Sequence, residues 1–321
     1  MKNLICNGCG GTMLINATGM TAVCPYCGSH AVLNHEDTDY YKSFYSQMSR
    51  FLAGSADDRE RQLRADKLWE TADREVFYCR DGSEVEVRYL YRSSFRDGEM
   101  LVARKSVVFR LNDPAAAERI RRTVSFLDYP SADTRQLAQF FPNVTGGFEL
   151  EDGSMLLAVS KDPDEYPLSL FGTLGGRHVA WIISRMENLC CVLEYNSLVH
   201  PLINADTLFI NPYTHQASLY GGWQRAQKNN TVSAYDSHVL RMTDNLYGIR
   251  NTAAALLGFS KAGEVKRSSE IPAALADFIN GRPRDNAYDD FALWDEMLIK
   301  AYGKRKFIRM DVDDGSIYGK E

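Results

Sequence analysis

The chain has 321 residues, 45% hydrophobic and 25% charged, which is enough for one large folded domain with a smaller companion. A formal net charge of −5 and a pI near 5.8 argue against a general nucleic-acid binder, which presents net positive charge. No apolar run approaches a bilayer span, and the opening "MKNLICNGCGG" lacks the apolar core of a secretory signal; both point to the cytoplasm and away from a membrane.

Four of the seven cysteines form two Cys-x-x-Cys pairs, Cys6 with Cys9 and Cys24 with Cys27, with fourteen residues between the pairs. Each such turn lets two thiolates converge on one cation, and four sulfurs at this spacing suit tetrahedral zinc. Between them "TMLINATGMTAV" predicts a hairpin turning at Ala17-Thr18-Gly19, so residues 1–35 read as a zinc ribbon. Two disulfides would need an oxidising compartment. With four protein ligands the Zn2+ is structural, since no position stays open for water or substrate. Lys2 is the only Lys or Arg among the first 34 residues, so the ribbon offers no phosphate-binding face and suits a protein partner or a spacer role.

Residues 36–75 read as a helical connector. Tyr41, Phe44, Tyr45, Met48, Phe51 and Leu52 fall on one helical face, expected to dock on the chain's own large domain, with a partner protein as the alternative. Gly54 ends that helix. Ser55 or Asp57 caps a second, mostly charged one in which Leu63, Leu68 and Trp69 are the sparse apolar positions.

From Val76 the pattern turns β-rich, with turns at Asp81-Gly82 and Asp97-Gly98. A helix capped by Asp113, with Pro114 in its first turn, and a further hairpin complete residues 76–165. Residues 166–310 read as helical, apart from two short strands, "TLFI" and "ASLY". The "DVDDGSIYGKE" end, 311–321, reads as a mobile acidic tail.

This order over residues 76–307 resembles the protein kinase fold: α+β in class, with a β-rich small lobe and a helical large lobe. "LVARK" resembles the V-A-I-K strand, which implies Lys105 as the phosphate-pairing lysine and Glu118, on the next helix, as its ion-pair partner. "LLAVSKDP" falls at the hinge, "HPLINADT" at H-R-D-L-x-x-x-N, and "LYGGW" at D-F-G. The register sets Leu202 at the proton-accepting Asp, Thr207 at the metal-binding Asn, and Gly221 (Tyr220 if shifted by one) at the D-F-G Asp. "CRDGSEVEV" has one glycine where the phosphate-covering loop needs three. An aliphatic side chain accepts no proton and glycine ligates no magnesium, so ATP and Mg2+ are not expected as cofactors.

Lys105 and Glu118 also fit a plain ion pair, His200 a structural histidine, and Asp244 a helix cap or a brace to the loop. The sequence therefore points to a zinc-ribbon pseudokinase, inactive and binding another protein. The alternatives are a divergent ATP-dependent kinase or nucleotide transferase using Lys105, Glu118 and Asp206, and a ribbon-led nucleic-acid adaptor supported by the basic "YGKRKFIRM".

Overall fold

The structure is a computed structural model and describes residues 13–15, 21–27, 29–32, 56–303, 308 and 310–319. Cys6, Cys9 and the aromatic stripe of residues 41–52 lie outside them, as does most of the basic stretch after Gly303. The chain divides into two compact units, residues 1–67 and 68–321.

In the first unit β1 (Leu14–Ile15), β2 (Thr21–Val23) and β3 (His30–Val32) form a small antiparallel sheet. Leu14 pairs with Val23, so the two strands of the expected hairpin pair, while its turn at Ala17-Thr18-Gly19 lies outside the described residues; Cys24 and Cys27 sit on the turn that follows β2. Helix α1 (Ala56–Glu70) runs from the first unit into the second; it buries only Trp69, in its second-unit end, and carries Asp58–Arg61 and Glu60–Arg64 pairs at helical spacing, as a solvated helix does.

In the second unit β4 (Asp73–Tyr78) and β5 (Glu84–Tyr89) form an antiparallel ribbon. Its turn is closed by Asp81 accepting from the N–H and hydroxyl of Ser83, and Gly82 supplies φ +82°. The main sheet has the order β6 (Tyr91–Phe95), β7 (Gly98–Val102), β8 (Ser106–Leu111), β10 (Met155–Ser160), β9 (Asn143–Glu149). The ribbon lays Phe77, Cys79 and Val87 against Leu101, Val108 and Leu156 on one face. Helix α2 (Pro114–Ser125) packs the sheet through Ala116, Ala117 and Ile120, with Asp113 capping it by accepting from Ala115 N–H. Cover on both faces explains why Val107, Val108 and Phe109 of β8 are consecutive buried residues rather than an alternation.

The large lobe is built on α3 (Gly176–Tyr195), α4 (Met242–Leu256), α5 (Ala273–Asn280) and α6 (Ala287–Tyr302). Their core contains a buried ion-pair group: Arg250 reaches both oxygens of Asp290 at 2.8 and 2.7 Å and Glu187 at 3.3 Å. Short pairs complete the lobe. β11 (Tyr166–Pro167) and β14 (Gln216–Leu219) flank β13 (Leu208–Asn211), and β12 (Leu198–Val199) pairs with β15 (Gln227–Lys228).

Two expectations are corrected here. The stretch "RHVAWIISRMENLCCVLEYNSL" reads as one helix ending just before His200, whereas the helix ends at Tyr195 and β12 follows before His200. The acidic tail is docked: α7 (Asp314–Tyr318) buries Asp314 and Tyr318, the tyrosine ring meeting Trp69 edge-on and Tyr166 at a tilt. Asp314 accepts from Trp69 Nε1 and Tyr166 OH, both at 2.6 Å, which the count of acidic residues in the tail did not foretell.

Candidate active-site cleft

A cavity of about 270 Å³ lies where the small-lobe sheet faces the large lobe. Its roof is Ser93–Asp97 with Met100 and Phe109. Its floor is Leu202, Asn204, Asp206, Thr207, Gly221, Gly222, Gln224 and Arg225.

The floor is held from below by α4. Asn245 accepts from His200 N–H at 2.7 Å and donates to Leu198 O at 3.0 Å; Thr252 donates to Ile203 O at 3.2 Å. The β12–β15 pair ties the start of the loop to the segment after Gly221. Asp244, expected as cap or brace, is the cap: it accepts from Arg241 N–H at 2.9 Å, and Asn245 is the brace. The backbone course between β12 and β13 is thus firmly specified.

Its side chains are turned to structural use. Asn204 Oδ1 accepts from the N–H groups of Asp206 and Thr207 at 2.9 and 3.2 Å, and the Thr207 hydroxyl donates to the carbonyls of Leu202 and Asn204. Leu202 presents an aliphatic chain to the cavity. A Cβ on Gly221 would lie 3.0 Å from Thr207 Cα, and Gly222 holds φ +81° with His200 2.7 Å from where its Cβ would be. No carboxylate-bearing residue fits at either glycine without displacing the loop.

His200 is fully buried, its ring edge-on to Trp223, and its Nε2–H donates to Gly221 O at 3.0 Å. Burial lowers its pKa to about 4, so the imidazole is neutral at physiological pH, as the structural reading of this histidine expects.

The roof differs from the sequence expectation. Lys105 is exposed in the turn between β7 and β8, not on a strand, because "LVARK" is the end of β7 and the turn itself. Among the cavity-lining residues, Phe109 is the one contributed by β8. Arg110, its neighbour, points to the other face, within reach of Glu99 and Asp152 and over the Phe77 ring. Glu118 lies on the exposed side of α2, whose inward positions are alanine and isoleucine, and no ion pair joins it to Lys105 among the described residues.

The turn at Asp81-Gly82 belongs to the β4–β5 ribbon. Strand order instead gives the covering position to the β6–β7 turn, where Phe95 pairs with Gly98 and only Arg96 and Asp97 intervene. Asp97 reaches down to Arg225 at 3.0 Å and accepts from Gln224 at 3.2 Å, while the Arg225 guanidinium sits 4.2 Å over the Tyr235 ring. The Arg96-Asp97 tip is thus fastened to the floor through its aspartate.

The cavity also stops short of the connector between the lobes: no residue of 160–167 lines it. At that level Val102, Val107 and Val159 stand on neighbouring strands and are fully buried. Behind them lies a dense polar group. Lys161 Nζ donates to the carbonyls of Arg104 and Asp162 at 3.0 and 2.9 Å, and burial pulls its pKa down to about 8 despite the nearby Glu165. Glu165 accepts from Ser218, Tyr220 and the Asp162 N–H at 2.6, 2.7 and 2.9 Å. Sequence reasoning missed this group and the tail that joins it; the Asp313-x-x-Ser316 capping box was the available signal for α7.

Of the four paired cysteines, Cys24 is buried and Cys27 exposed. Among the described residues, which include only these two of the four, no cluster of three or more His, Cys, Asp or Glu stands at metal-binding distance.

No family model and no curated protein matches the chain. Solved structures do. The chain is similar to vaccinia related kinase 3, with a TM-score of 0.52 and 13% identity over 70% of this chain and 89% of that one. A second likeness is to the ROP18 kinase domain, solved in complex with AMP-PNP and sucrose, with a TM-score of 0.49 and 12% identity over 82% and 94%. The fold is a bilobal protein-kinase-like fold of mixed α and β structure. Among the described residues no helix is long and apolar enough to cross a membrane.

Proposed function

We propose that this chain is a catalytically inactive, kinase-like protein that acts as a protein-binding or regulatory module. The carrying observation is the make-up of the cleft. Phosphoryl transfer is positioning plus charge neutralisation, and it needs a proton acceptor, metal ligands and a phosphate-gripping lysine. The cavity lining has no lysine, and its two carboxylates are Asp97, engaged by Arg225, and Asp206, exposed at the rim. Hard Mg2+ requires several oxygen ligands in near-octahedral array. Leu202, Thr207 and Gly221 supply no side-chain oxygen free for it.

In this reading the first unit is a zinc ribbon in which Cys6, Cys9, Cys24 and Cys27 hold one structural Zn2+, a protein is the partner, and nucleic acid and membrane are not. The metal supplies most of the folding energy of so small a segment, and one zinc per chain, lost in Cys24→Ser, is the expected result by native mass spectrometry.

The activity test is transfer and hydrolysis of γ-labelled ATP. The expected rate equals that of the Asp206→Asn variant and of buffer. A turnover that Asp206→Asn abolishes would replace this reading with a divergent enzyme.

A further inference from the structure

An open groove of about 1010 Å³ lies on the small lobe, away from the cleft, between the exposed side of α2, the 3-10 turn at Thr134–Phe140, and β9. Three independent features meet in it.

The first is an unguarded sheet edge. β9 ends the five-stranded order and, among the described residues, pairs only with β10. Exposed edges are normally blunted by charge, proline or a covering element. "NVTGGF", Asn143 to Phe148, has neither charge nor proline, and cover from the ribbon begins only at Glu149, whose carbonyl accepts from Arg80 N–H.

The second is charge. Arg80, Arg88, Arg92, Arg110 and Arg119 of this lobe each hold a carboxylate. Arg121 and Arg122 line the groove and have no ion-pair partner among the described residues; Glu118 is the one acid in the lining. In a chain of net charge −5, this is a local positive site. The third is apolar surface: Phe126 is 75% exposed at the end of the groove, beside half-buried Leu127 and Val144.

We propose that this groove takes an extended, acidic peptide segment of another protein. The segment adds to the β9 edge as a further strand, its carboxylates meet Arg121 and Arg122, and one apolar side chain covers Phe126. Main-chain pairing supplies the affinity and the side-chain sites supply the choice of partner, as in strand-addition recognition generally. A second copy of this chain is a poor occupant, since edge-to-edge pairing across β9 would bring two arginine pairs together. A nucleic acid is also poor, because two guanidiniums neutralise too few phosphates for useful binding.

This rests on the reading of the chain as a protein-binding module. The test is selection of a random displayed peptide library on the full chain, followed by fluorescence anisotropy of the enriched peptides. Selected sequences are expected to combine Asp or Glu with aliphatic or aromatic residues. Binding is expected to weaken with salt and to fall about tenfold or more in Arg121→Glu/Arg122→Glu and in Phe126→Ser. All three positions line the open groove, so thermal melting should show the fold kept.

The proposal is overturned if nothing is enriched, or if the enriched peptides are indifferent to both variants. A labelled oligonucleotide bound more tightly, or light scattering showing a dimer that these variants split, overturns it as well. ATP turnover in the cleft would remove the module reading instead, whatever the groove does. A silent cleft with a failed groove leaves that reading intact and moves its docking surface elsewhere.

Discussion

The front and the back of the lobe junction treat ionisable groups in opposite ways. At the front, the loop from His200 to Thr207 keeps a firmly braced backbone and offers the cavity Leu202, Asn204, Asp206 and Thr207, with Gly221 and Gly222 beside them. At the back, Lys161, Glu165 and Asp314 are nearly buried, and hydrogen bonds from tyrosine, serine, tryptophan and backbone N–H groups satisfy the two carboxylates. At the back of the junction, charge fastens the tail and the connector.

The contrast can be broken at each side. The largest effect is expected from His200. Its folded pKa is about 4 against an ordinary 6.5, so as pH falls below 6.5 the unfolded chain takes up a proton that the native state refuses. Stability is complete above about 6.5 and falls by roughly 3 kcal/mol as pH approaches 4. His200→Gln, which keeps a donor for Gly221 O, removes this component, and urea midpoints for the two proteins across that range read the difference.

Next comes the back. Asp314→Ala leaves the Trp69 and Tyr166 donors buried without an acceptor and is expected to cost about 2 kcal/mol in urea unfolding. A freely mobile tail would show no change. The smallest effect belongs to Asp97→Asn. Both partners of the Asp97–Arg225 pair retain some exposure, 19% and 17%, so stability should move by less than about 1 kcal/mol. Hydrogen exchange at the β6–β7 turn should nevertheless rise as the tip is freed.

The lobes were legible because strand alternation, helix caps and turn glycines are local signals: the Asp113-Pro114 helix start and the paired short strands around "TLFI" and "ASLY" appear where the sequence put them. Two things were not. Lys105 looked like a strand lysine because "LVARK" matches a short pattern, but which strand it closed depended on sheet order, and the β4–β5 ribbon had already displaced the count by one hairpin. The tail looked mobile because acidic residues are usually solvated, whereas Asp314 is buried by two donors distant in sequence. The missing carboxylates at 202 and 221 and the missing amide at 207 could be read directly, since absence at a fixed register needs no tertiary information.

Calorimetric titration of the full chain with magnesium–ATP tests the central claim most directly. The account predicts no heat of binding at millimolar nucleotide, and none in Asp206→Asn. Saturable binding in the micromolar range that needs magnesium and disappears in Asp206→Asn would contradict it and show that the cleft still holds a metal nucleotide.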